Sequence, residues 1–85
     1  MMISLVFFAS VREQLGVSQE CWAWDESLST VEALLASLVK AKGDQWGKVL
    51  LVPNLLIAVN QEMASLSAAI RDGDEIAFFP PVTGG

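Results

Sequence analysis

Hydrophobic and polar positions first alternate over Met2 to Ala9, with Ile3, Leu5 and Phe7 on one side and Ser4, Val6 and Phe8 on the other. This period of two predicts a strand that is apolar on both faces. Val11 to Leu15 carries Arg12, Glu13 and Gln14 and stops at Gly16, which leaves room for at most a helical turn before the chain reverses. Glu20 to Trp24 predicts a second strand, hairpin partner of the first, with Trp22 and Trp24 on one face and Cys21 and Ala23 on the other. Ser29-Thr30-Val31-Glu32 has the form of a capping box, with Ser29 as the cap. Val31, Leu34, Leu35, Leu38 and Val39 then recur at helical spacing, which predicts a helix over 30–42 stopped by Gly43.

Asp44 to Val52 fits a short helix through Trp46, Val49 and Leu50, or a strand over its last four residues; the helical turn is the preferred reading. Leu55 to Val59 predicts a buried strand, Asn60-Gln61 a tight turn, and Met63 to Leu66 a short returning edge. Asp72-Gly73-Asp74 is a turn that launches a last strand over Glu75 to Phe79. The first and last strands are the most apolar, and such strands belong at the centre of a sheet. A hairpin, a crossing helix and central, parallel first and last strands describe an α+β fold of the β-grasp type.

With 85 residues the chain has room for one core, here 1–79, followed by an extended tail, 80–85. An apolar fraction of 53% is more than so small a core readily hides, so part of it is expected to meet a partner. The net charge of −5 repels a phosphate backbone and argues against nucleic acid. With no histidine and one cysteine, Cys21, neither a transition-metal site nor an internal disulfide is expected. No apolar run is long enough to span a membrane and the start lacks the features of a signal peptide, so a soluble, cytoplasmic protein is expected.

The tail is Pro80-Pro81-Val82-Thr83-Gly84-Gly85. Two prolines end the strand ladder and favour an extended path, and two residues without a Cβ make the thinnest backbone available, able to pass a channel that any side chain would block. What such a tail delivers is its terminal carboxylate. Transfer of a carboxylate oxygen to the α-phosphate of ATP gives an acyl adenylate, and sulfur can displace AMP from it. The resulting thiocarboxylate is a soft nucleophile that needs no acid or base from its carrier. A terminal Gly-Gly alone is more often a frayed end. Here it follows a β-grasp pattern and a proline pair.

The stretch DGDEIAFFPPVTGG, Asp72 to Gly85, closely resembles the C-terminus of the small subunits of molybdopterin synthase. LVFFASVREQLG resembles the opening of that family, and Val59-Asn60-Gln61 is similar to its central VNQ. The resemblance implies a ubiquitin-like sulfur carrier whose terminal glycine, Gly85 behind Gly84, is adenylated by a ubiquitin-activating-like adenylyltransferase and then thiocarboxylated. It further implies insertion of the tail into a large subunit, in a heterotetramer of two small and two large chains. There sulfur passes to cyclic pyranopterin monophosphate to form the molybdopterin dithiolene. The catalytic lysine belongs to the large subunit, and no permanently bound cofactor or metal is implied for this chain. Phe78, Phe79, Pro80, Pro81, Val82 and Thr83 would form the collar gripped by both partners, with one phenylalanine in the core and the other at the interface.

Trp22, Trp24, Cys21 and the 44–53 connection match no motif of the family. The tryptophans are expected in the core or against a partner, and Cys21 as a small core residue in preference to a sulfur relay. Three rivals remain: the sulfur carrier of the thiamin pathway, a ubiquitin-like protein modifier that forms isopeptide bonds, and an interaction domain with an inert tail.

Overall fold

The computed structural model of the chain describes residues 1–80. Its elements run β1 (Met2–Phe7), α1 (Ala9–Leu15), β2 (Gln19–Ala23), a 3-10 turn (Glu26–Leu28), α2 (Val31–Lys42), α3 (Asp44–Leu50), β3 (Leu56–Val59), β4 (Glu62–Ala64) and β5 (Glu75–Phe79). The five strands form one sheet in the order β2-β1-β5-β3-β4. β1 and β5 lie side by side and parallel, with Phe7 opposite Phe78, while every other pairing is antiparallel. The fold is the expected β-grasp.

Alternation along the central strands sends Ile3, Leu5 and Phe7 of β1 and Ile76 and Phe78 of β5 into the core. There they meet Val31, Leu34, Leu35 and Leu38 of α2 and Trp46 and Leu50 of α3. Phe7 stacks on Phe78 at 5.4 Å and meets Trp46 edge-on at 5.5 Å, a pair of contacts worth about 0.5–1.5 kcal/mol each beyond their burial. The 44–52 segment is indeed helical over Asp44–Leu50.

Four local expectations are corrected. The segment after β1 is a seven-residue helix, not a single turn, because Val11 buries against the core and a left-handed Gly16 closes the C-terminus on the Arg12 carbonyl. The cap of α2 is Thr30, whose hydroxyl accepts the Ala33 N–H at 3.2 Å, not Ser29. Ser29 instead ends the 3-10 turn, and its carbonyl accepts the Ile70 N–H. The first-turn donors of α2, Val31 N–H and Glu32 N–H, go to the carbonyls of Ala68 and Leu66, so a distant loop does the work assigned to the Ser29 hydroxyl. Cys21 is exposed, not in the core, because β2 is an edge strand covered on one face only. Trp22 faces the helices, Trp24 lies just past the strand with its indole N–H donating to the Leu28 carbonyl, and both pack on the core. Strand boundaries shift by one or two residues: β1 ends at Phe7, and the returning edge is Glu62–Ala64.

The two-residue connection of β3 to β4 has positive φ at both Asn60 (51°) and Gln61 (70°), as the right-handed twist of a hairpin demands. Asn60 accepts the Glu75 N–H through its side-chain oxygen and donates through its amide to Asp74, both at 3.0 Å. Asp74 in turn accepts the Arg71 N–H at 2.8 Å, and Gly73, at φ 85°, donates its own N–H to the Met2 carbonyl. The hairpin, the turn before β5 and the start of β1 are thereby tied together. Asp25 accepts hydrogen bonds from the Ser27 hydroxyl and backbone N–H, which hold its carboxyl below the ordinary value.

Candidate functional site: the root of the tail and the open sheet face

β5 ends at Phe79, followed by a half-buried Pro80. Of the anticipated site residues, Phe78, Phe79 and Pro80 are described; Pro81, Val82, Thr83, Gly84 and Gly85 lie outside the described residues. Phe78 is fully buried beneath the helices, and Phe79, one residue on, projects from the opposite face. The core member of the pair is therefore Phe78.

Phe79 stacks on Phe8 with ring centroids 4.6 Å apart and planes within 6°. Phe8 is held there because its N–H donates to the Phe78 carbonyl while its own carbonyl accepts from Val11 and Arg12 at the start of α1. The junction is strained: Ala9 adopts φ 51°, a conformation costing an L-residue about 1–2 kcal/mol. Phe8 remains 39% exposed despite the stacking.

The strand register extends this aromatic pair into an apolar field on the face that the helices leave open. Leu56 lies opposite Phe79, and the next row across the sheet is Val6, Ala77, Ala58 and Met63. Met63 closes the row at 66% exposure on edge strand β4. Phe8 and Met63 were not singled out from sequence. The signal was the register: once β1 pairs in parallel with β5, Phe8 has to neighbour Phe79.

On the helix side Pro80 borders a small groove of about 280 Å³ with Val11, Gln14, Lys48, Val52 and Leu55. The root of the tail is thus flanked by an aromatic step on one side and by a groove carrying one cation on the other. Among the described residues no group of three or more His, Cys, Asp or Glu could hold a metal, and no helix is long and apolar enough to cross a membrane. What this end of the molecule offers is an apolar platform of stacked rings beside Pro80, the last described residue.

The ThiS family model matches residues 5–85, nearly the whole chain. The chain belongs to the ThiS family. Within it, the sequence is 48% identical over 84 residues to the molybdopterin synthase sulfur carrier subunit of Escherichia coli (strain K12), covering 99% of this chain and all of that one. In structure this ThiS-family chain is similar to SAMP1 from Haloferax volcanii, with a TM-score of 0.81 and 30% identity over the full length of both. It is also similar to a chain from the complex of subunits 1 and 2 of the molybdopterin-converting factor of Helicobacter pylori 26695, at a TM-score of 0.66 and 27% identity, again over both full lengths. The β-grasp reading and the likeness to molybdopterin synthase small subunits made from the sequence both stand.

Proposed function

We propose that this chain is the sulfur-donating subunit of a molybdopterin synthase and that its reactive group is the carboxylate of Gly85. A carboxylate oxygen attacks the α-phosphate of ATP on an adenylyltransferase, pyrophosphate leaves, and an acyl adenylate forms. A sulfur nucleophile at the oxidation level of sulfide then displaces AMP and leaves a thiocarboxylate. The thiocarboxylate sulfur attacks a carbon of cyclic pyranopterin monophosphate, the C–O bond at that carbon breaks with its oxygen departing as phosphate or water, and water then cleaves the resulting thioester. Sulfur stays on the pterin and the carboxylate returns. Two carriers in turn supply the two sulfurs of the dithiolene, in an assembly of two small and two large subunits whose catalytic side chains lie on the large one.

The observation that carries this reading is the 48% identity, over nearly the whole length, to a molybdopterin synthase sulfur carrier subunit. The stacked Phe8–Phe79 platform at the point where Pro80 leaves the sheet supports it, since both partners need a fixed surface from which to draw the tail. Co-expression with the adenylyltransferase and a sulfur source is expected to yield protein heavier by the exchange of one oxygen for sulfur, localised to Gly85 by fragmentation. Gly85→Ala, or one residue added after Gly85, is expected to abolish sulfur transfer with an unchanged melting curve. Retained transfer by the extended variant would refute the thiocarboxylate reading. The likeness to SAMP1, a small archaeal modifier protein, favours a second reading in which the terminus is joined to lysines of target proteins. Adducts on target lysines, in place of the sulfur exchange, would select it.

A further inference from the structure

A second apolar surface lies on the helix side, away from the open sheet face. Leu50, Leu51 and Val52, at the end of α3, face Leu55, Leu66 and Leu35 across a groove of about 330 Å³. Leu51 is 58% exposed and Leu66 47%, an unusual display for two leucines in a chain with five cations and ten acids available to cover its surface. The groove adjoins the root of the tail, because Val52 and Leu55 line both it and the smaller groove beside Pro80. Lys48 lines the smaller of the two, with the same Val52 and Leu55.

We infer that this groove is a second docking surface for the large subunit that receives the tail, occupied by an apolar segment with an acidic side chain placed to meet Lys48. The inference rests on the proposed function for the identity of the partner. A protein that draws the chain in from Pro80 onwards must close around its root. On one side it meets the Phe8–Phe79 step, and on the other the first surface it reaches is the Val52–Leu55 junction, which opens into the leucine groove. Among the described residues, Ser65 is the one polar side chain lining the larger groove, so an apolar segment matches it and a charged one does not. Lys48 supplies one cationic point in the adjoining smaller groove, which favours a carboxylate on the partner.

The test is calorimetric titration of the purified large subunit with the full-length chain, alongside the double variant Leu51→Gln/Leu66→Gln and the single variant Lys48→Gln. Both leucines are exposed, and thermal melting verifies that the double variant folds. The double variant is expected to bind about tenfold more weakly or worse, and Lys48→Gln to associate more slowly with a flatter dependence on salt. Wild-type binding with the double variant equally tight would overturn the docking surface while leaving the proposed function intact; no binding by the wild type would overturn both. Two other occupants would also overturn it. Self-association of the free chain that the double variant abolishes would assign the groove to a second copy, and backbone shifts at Leu51 and Leu66 on removal of 81–85 would assign it to the chain's own tail.

Discussion

Adjacent residues with the same side chain have opposite duties here. Phe78 stacks on Phe7 in the core and Phe79 stacks on Phe8 outside it, so Phe78→Ala opens a cavity and is expected to cost about 3–5 kcal/mol in denaturant unfolding. Phe79→Ala, half-exposed, is expected to cost about 1 kcal/mol and to act chiefly on partner binding, measured by titration with the large subunit. Asn60 is similarly decisive. It combines a left-handed backbone with two hydrogen bonds to the Asp74–Glu75 segment, so Asn60→Ala is expected to lose about 1–3 kcal/mol by urea unfolding. The sequence displayed Asn60 within a recognisable motif but gave no reason for it; the reason is a bond to a residue fourteen positions away.

Among the elements, β5 was readable to the residue because a short apolar run is bounded by Asp72-Gly73-Asp74 on one side and Pro80 on the other. α1 was underestimated because its outward positions are polar and a single buried contact, Val11, anchors it. The cap of α2 was misplaced by one residue because the donors it was meant to satisfy are taken by carbonyls of the 66–68 loop, which no local pattern encodes. For β2 the alternation separated Trp22 from Cys21 correctly, but which of the two faces is covered depends on where α2 crosses. That crossing carries its own fastening. Lys42, in the last turn of α2, pairs with Glu20 of β2 at 3.0 Å and lies 5.7 Å from the Trp22 ring and 5.2 Å from that of Trp46. Lys42→Met keeps the aliphatic stem and removes the charge; it is expected to destabilise by about 1 kcal/mol, with an altered tryptophan emission in the folded state.

For the whole molecule, the two faces of the sheet differ in cover. One side of the sheet is sealed by α2 and α3, and the other bears the apolar field from Phe8 to Met63. The parallel pairing of β1 with β5 also governs how the protein is made. The N-terminal strand has no central neighbour until residues 75–79 have been synthesised, so a nascent chain on the ribosome cannot close its core early, and a fragment ending at Asp74 is expected to remain unfolded by circular dichroism. The segment that completes the architecture is the last strand to be made, immediately ahead of Pro80. A translation product cut short before residue 79 therefore lacks the strand that its N-terminus must pair with, and is left as unfolded material open to proteolysis.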